Sequence, residues 1–347
     1  VGETGFPSLY SLTLEDIAAV ALAAASCRSE TETIDDCPEI SITVGIPDPM
    51  DAYSKAPLTT TDAFSHLGGA MTVDPASFDL RYIVEVWSNE DTPQLLHRET
   101  KCVDDNFVAT TVSFKIRIQS LPCKLVFWSD FVEQGSSDDL HYNTANNLQN
   151  ISYSDQITSI GDLASDDMDA YCAVVPIESV SNDQKRHITL RRPFGKLRLL
   201  ATDQVEGGDI EGVKPIVATI DFKDVPVADT YNVLTGRTSV NEKTDFSKKF
   251  DFNIIRENAL VNNASYDAYL LGFDYLFVTD QAPSYALDVT VYGDEAKTFP
   301  LATKNLSGIP ISANKLTTVI GVFYSSHGSV NIIVNDEFDN KETASYN

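Results

Sequence analysis

Five histidines (His66, His97, His141, His187 and His327) and five cysteines (Cys27, Cys37, Cys102, Cys123 and Cys172) are the residues suited to acid–base, zinc or thiol chemistry in this sequence. Their spacing supports none of it. Zinc sites hold their ligands a few residues apart, in patterns such as C-x-x-C or H-E-x-x-H, and the sequence contains neither. It also lacks a G-x-S-x-G nucleophile elbow, a G-x-x-x-x-G-K-[ST] phosphate loop and a dinucleotide fingerprint. Two acidic groups remain, Asp166-Asp-Met-Asp169, and Asp138-Asp139 with His141 and Tyr142 beside them. Carboxylate oxygens suit hard cations, but neither group has the D-x-[DN]-x-[DN]-G spacing and distal glutamate of a calcium loop. Both therefore read as solvated loop charge. No catalytic residue, metal site or cofactor is expected, and the chain is not expected to be an enzyme. A hydrolase on this sequence would need paired carboxylates assembled from distant strands.

The elements that would carry any site are strands. In Thr111-Val-Ser-Phe-Lys-Ile-Arg-Ile-Gln119, Val112, Phe114, Ile116 and Ile118 alternate with polar residues, which gives one buried and one wet face. The same period of two places Phe250, Phe252 and Ile254 on one face, and Leu287, Val289 and Val291 on another. Residues 80–87, 124–132, 269–278 and 316–324 are apolar on both phases, as in central strands covered on both sides. Short strands separated by Gly, Pro, Asn and Asp clusters, with no long helix between them, predict antiparallel sandwiches. Residues 143–169 are expected to be loops with one short helix, and the polar stretch 47–77 an exposed arm.

At 347 residues the chain exceeds what one core usually supports, so two domains are expected, 28–187 and 188–347, with the joint in the polar stretch near residues 180–191. Hydrophobic residues make up 43%, in the globular range, and the formal charge of −26 repels phosphate backbones and anionic headgroups. Nucleic-acid binding and electrostatic membrane binding are thereby disfavoured. Trp87 and Trp128 lie within strand runs and are expected in the first domain's core. That leaves loop tyrosines such as Tyr142 and Tyr153 as the groups on which a sugar could stack.

Residues 1–27 read in two ways. The small-residue apolar run from Ile17 to Ser26, followed by Cys27 and a polar stretch, has the form of a bacterial lipoprotein export signal with Cys27 as the lipid-bearing residue. The run is also a good short alanine-rich helix, and no Lys or Arg precedes Arg28. It is too short to span a bilayer.

Several stretches together resemble the fimbrillin superfamily of Bacteroidetes, which comprises pilus subunits and related surface lipoproteins. They are Leu80-Arg-Tyr-Ile-Val-Glu-Val-Trp87 with Leu96-His-Arg-Glu-Thr100; Lys124-Leu-Val-Phe-Trp-Ser-Asp-Phe-Val132 with Asp139-Leu-His-Tyr-Asn-Thr144; Arg192-Pro-Phe-Gly-Lys-Leu-Arg-Leu199; Ile309-Pro-Ile-Ser-Ala-Asn-Lys-Leu-Thr-Thr318; and Val330-Asn-Ile-Ile-Val-Asn-Asp-Glu-Phe338. The resemblance implies an all-β chain of two tandem transthyretin-like antiparallel β-sandwich domains, exported to the outer membrane on a lipid anchor. In polymerising members the first strand is removed by an arginine-directed protease, and a strand from another pilus subunit fills the groove. Here the candidate first strand carries Ile40, Ile42, Val44 and Ile46 on one face, and the candidate donor carries Val330, Ile332 and Val334. That last segment fits an ordinary final strand equally well. Between Pro38 and Leu80 the sequence departs from the family: Lys55 is the only Lys or Arg there and becomes the candidate cleavage site. The expected role is a structural or adhesive pilus or accessory subunit. The alternative is a monomeric surface lipoprotein that binds a glycan or another host ligand through loops.

Overall fold

The computed structural model describes residues 37–46, 73–74, 76–103, 111–180, 184–203, 213–223, 227–240, 247–261, 264–278, 284–325 and 328–335. Cys27, Lys55, His66, His327 and most of the 47–77 arm lie outside them. Among the described residues there are twenty strands, and helix is confined to two short 3-10 turns, Ile160–Leu163 and Asp166–Met168. The all-β expectation is met.

In the first sandwich, one sheet has β1 (Glu39–Gly45) in the middle, between β4 (Thr111–Arg117) and β9 (Gln184–Thr189). The facing sheet runs β3 (Leu95–Val103), β2 (Phe78–Ser88), β5 (Cys123–Glu133), β8 (Ala170–Ile177). The period-two pattern decides which side chains meet. Ile40, Ile42, Val44, Phe114 and Ile116 point inward, and they share one core with Leu80, Tyr82, Val84, Leu125, Phe127 and Phe131. Strands β2 and β5 are buried on their other face as well, as their two-phase apolar runs predict.

The second sandwich is built the same way. One sheet runs β15 (Ile255–Val261), β16 (Ala264–Phe277), β10 (Phe194–Ala201), β19 (Lys315–Gly321), β20 (Val330–Asn335). The other runs β14 (Lys249–Asn253), β11 (Val217–Lys223), β17 (Ser284–Tyr292), β18 (Pro300–Pro310). Each half places its first strand between one antiparallel and one parallel neighbour: β1 between β4 and β9, β10 between β16 and β19. Side-chain alternation reports faces and not partners, so these two parallel pairs have no sequence signal. Gly195, in the Arg192 to Leu199 stretch, lets β10 run close beside the chain before β19. A Cβ there would stand 2.4 Å from Ile311 Cγ2 and 2.8 Å from the Ser312 carbonyl oxygen.

A small fifth sheet joins the halves. Its order is β13 (Arg237–Ser239), β12 (Thr230–Asn232), β7 (Ile151–Tyr153), β6 (Tyr142–Asn143), with Tyr231 paired to Ile151 across the joint. Around it aromatic rings from both halves meet. Tyr142 stands 5.3 Å from Trp128 and 5.8 Å from both Phe194 and Phe277, and Phe277 stacks at 4.7 Å on Tyr153 and 5.6 Å on Tyr231. This corrects two expectations. Trp87 and Trp128 belong to the core that runs into the second half and not to the one between the first sandwich's sheets. Tyr142 and Tyr153 are 0% and 1% exposed, so neither offers a face to a sugar. The reason is that residues 139–169 lie over the outer face of β2 and β5, and rings are what seal that face.

Candidate functional site

The acidic groups act as braces and not as loop charge. Asp166 is 4% exposed and accepts from Lys196 Nζ at 2.8 Å and from the Tyr275 hydroxyl at 3.0 Å. Lys196, itself buried, also lies 4.3 Å over the Tyr275 ring. Burial pushes the Asp166 carboxyl up and the Lys196 amine down, although each partner pulls the other back. Asp169, 5% exposed, accepts from Arg192 Nε at 2.8 Å and from the Tyr171 hydroxyl at 2.8 Å. Asp167 pairs with His141 at 2.6 Å. Asp139 accepts from Arg81 Nη1 at 2.9 Å, the Thr144 backbone at 2.8 Å and the Ala145 backbone at 3.1 Å. Only Asp138 remains solvated, as the sequence predicts.

Asp139, Asp166 and Asp169 are thus each tied to a basic side chain, and Asp167 to His141. Among the described residues, no group of three or more His, Cys, Asp or Glu side chains could hold a metal ion. Cys37, Cys102, Cys123 and Cys172 are free thiols, and burial pushes Cys172 up to about 12.

One buried acid lacks such a brace. Asp274 on β16 is 1% exposed, and its Oδ1 has no hydrogen-bond partner among the described residues. Burial alone pushes its carboxyl well above the ordinary 3.8. Below pH 3.8 the folded and unfolded states both hold the proton. As pH rises from there toward the native pKa, only the unfolded chain ionises freely, so stability falls. Asp274→Asn is therefore expected to raise the midpoint of thermal unfolding at pH 7 and to leave it nearly unchanged at pH 3, as read by calorimetry at both pH values.

With no catalytic constellation among the described residues, the site to weigh is the backbone of β1. It pairs antiparallel with β4 from Glu39↔Arg117 to Gly45↔Thr111, and parallel with β9 from Ile40↔Gln184 to Gly45↔Thr189. The ladder extends at both ends, through Ile118 N–H to the Pro38 carbonyl at 3.0 Å and Leu190 N–H to the Gly45 carbonyl at 2.8 Å. Strands β4 and β9 have no other partner among the described residues. Ile40, Ile42 and Val44 are 0% exposed and Ile46 is 4% exposed, so the structure brings all four predicted first-strand residues onto one core. Without β1, its neighbours would present two rows of unpaired N–H and C=O groups above a floor of Leu80, Tyr82, Leu125 and Phe127.

At the other end of the described residues, β20 is an edge strand, paired among them with β19 alone, from Gly321↔Val330 to Leu316↔Asn335. The three predicted donor residues do not share one environment. Val330 packs in part on the core, together with Ile333, whereas Ile332 and Val334 are 41% and 39% exposed. An edge strand with two aliphatic side chains facing water is the arrangement that folded proteins usually blunt with charge, Pro or a bulge. The first strand and the last lie in different sandwiches.

Residues 36–347 match a family of unknown function (DUF6562). No curated protein matches the sequence. Solved structures similar to it include a candidate cell adhesion protein from Bacteroides eggerthii, 10% identical with a TM-score of 0.48 over 87% of this chain and 96% of that one. Another is a candidate polysaccharide-binding protein (DUF1812) from Bacteroides thetaiotaomicron, 11% identical with a TM-score of 0.42 over 86% and 96%. A third is a fimbrial assembly protein from Parabacteroides distasonis, 8% identical with a TM-score of 0.40 over 86% and 99%.

Proposed function

We propose that this chain, which belongs to the DUF6562 family of unknown function, is a structural or adhesive subunit at the cell surface that joins its neighbours by exchanging a β-strand. The observation that carries this reading is the position of β1, which alone among the described strands links β4 to β9 and fills the core beneath them. Removing it exposes backbone donors, backbone acceptors and an apolar cleft together, and a donated strand satisfies all three at once.

Strand β20 has the form of a donor. Its Val330, Ile332 and Val334 repeat the alternation of Ile40, Ile42 and Val44, and two of the three gain burial by leaving their own sheet. Release of β1 requires a cut between it and Val73, for which Lys55 is the candidate. Lipid attachment at Cys27 would hold the unassembled chain at the outer membrane. Other pilus subunits are the partners.

The test uses the exported full-length protein, cut within residues 47–72 and run unboiled in SDS. Cleavage is expected to free the segment around β1 and give a ladder of multimers, and a chain ending at residue 329 is expected to give none. A cut chain that stays monomeric with residues 37–46 still bound would refute the reading.

A further inference from the structure

Lys196 is the one buried lysine among the described residues, and it is set beside a buried carboxyl. Its Nζ stands 2.8 Å from Asp166 Oδ1, and the Tyr275 hydroxyl touches both, 2.6 Å from Nζ and 3.0 Å from Oδ1. The three groups come from three elements. Asp166 is in the 3-10 turn Asp166–Met168 of the first half, and Lys196 and Tyr275 are in register on β10 and β16 of the second. The walls around them are aromatic, since Nζ also lies 4.3 Å over the Tyr275 ring and 4.7 Å over the Phe273 ring.

Other ion pairs lack one part of this arrangement. Arg81 with Asp130 and Arg192 with Asp169 are also well sheltered, but a guanidinium keeps its proton and offers no lone pair. Lys101, Lys223 and Lys297 are amines, but their side chains are 36%, 43% and 40% exposed, where water keeps both partners charged. At Lys196 and Asp166 burial works against both charges, toward the neutral amine and the neutral acid. An ammonium and a carboxylate hold the same atoms as an amine and a carboxylic acid, so one proton passing from Nζ to Oδ1 needs no outside reagent. The neutral amine is then a nucleophile beside an electrophilic carboxyl carbon.

We propose that Lys196 and Asp166 condense to an amide, a covalent cross-link that the folded chain makes once within itself. Nζ forms a bond to Asp166 Cγ, a C–O bond of the carboxyl breaks, and the oxygen leaves as water with the carboxyl proton and one proton from the amine. The Tyr275 hydroxyl relays that second proton, accepting it from Nζ while giving its own to the departing oxygen. No oxidant, reductant or cofactor enters. The product is uncharged, so the desolvation cost of the ion pair disappears. The turn of the first half is then bonded to the first strand of the second, which resists separation of the halves under load whether or not strands are exchanged.

The test is intact-mass spectrometry of the denatured full-length protein, followed by peptide mapping. Lys196→Arg, which keeps the cation and cannot form the amide, is the reference, and its unfolding midpoint shows that the fold is intact. Allowing for the substitution, the parent chain is expected to be one water lighter than this variant. Digestion is expected to give a branched peptide that joins the Asp166 segment to the Lys196 segment. Tyr275→Phe keeps the ring and loses the hydroxyl; it is expected to form the link about a hundredfold more slowly, at the lower end of what a positioned proton-transfer group contributes. A parent chain of full mass, or one that has lost water without a branched peptide, overturns the cross-link. Tyr275→Phe bonding as fast as the parent overturns the relay.

Discussion

Arg81→Leu is expected to destabilise the first sandwich by about 3–5 kcal/mol, as measured by denaturant unfolding, because it strands a buried carboxylate. Arg81 is 2% exposed on β2, and Asp130, at 1%, faces it from the paired strand β5. The contact is a two-pronged fork, Nε to Oδ1 at 2.9 Å and Nη2 to Oδ2 at 2.7 Å, and the remaining nitrogen reaches Asp139 and the Ser137 carbonyl, each at 2.9 Å. Burial alone would pull protons off this guanidinium, but Asp130 and Asp139 outweigh it and raise its pKa. Removing the arginine leaves Asp130 with its desolvation cost and no cation. Replacing both partners, Arg81→Leu with Asp130→Leu, is expected to recover most of the loss, since a buried ion pair is often no more stabilising than apolar side chains of similar volume. A double variant as unstable as the single one would show that the fork's role is to pin the turn carrying Ser137 and Asp139.

Ile42→Asp is expected to be at least as severe, with a loss of about 4 kcal/mol or more, and to leave the first sandwich unfolded at ambient temperature. Ile42 is fully buried in the middle of the middle strand, between Phe114 of β4 and Arg186 of β9 in register. Ile42→Ala, which only opens a cavity, is expected to lose about 2–5 kcal/mol. The comparison matters for function because it measures how strongly the groove holds its own strand. If Ile42→Asp folded normally, β1 could not be the element that closes the core.

The sequence reveals some of this architecture and hides the rest for identifiable reasons. Alternation in Glu39–Gly45 and Thr111–Arg117 is enough to place Ile42 and Phe114 inward, because one face of those strands is wet. The two-phase runs of β2 and β5 signal burial on both faces but not what covers the second one. The cover is residues 139–169, where Tyr142, Tyr153, Ile160 and Met168 recur at no fixed period among polar neighbours. Asp166 and Asp169 look like loop charge for a similar reason. Their partners, Lys196 and Arg192, sit on the other side of the joint, and only tertiary structure brings them within 2.8 Å. The candidate strands β1 and β20 are legible as apolar alternations. That one is a sealed middle strand and the other a half-exposed edge depends on pairing, which alternation does not encode.

Strand exchange makes a demand on Ile332 and Val334 that an ordinary last strand does not. Both are part-exposed in the monomer, at 41% and 39%, and would be buried in a neighbour's groove. The most direct measurement is therefore the double substitution Ile332→Thr and Val334→Thr in the full-length chain, which keeps β-branched side chains and removes apolar area. Monomer stability and multimer ladders after cleavage would be compared with the parent protein. The account predicts a monomer within about 1 kcal/mol of the parent, since exposed substitutions are mild, and a loss of the ladder. A ladder of undiminished length from the doubly substituted chain would contradict β20 as the donated strand.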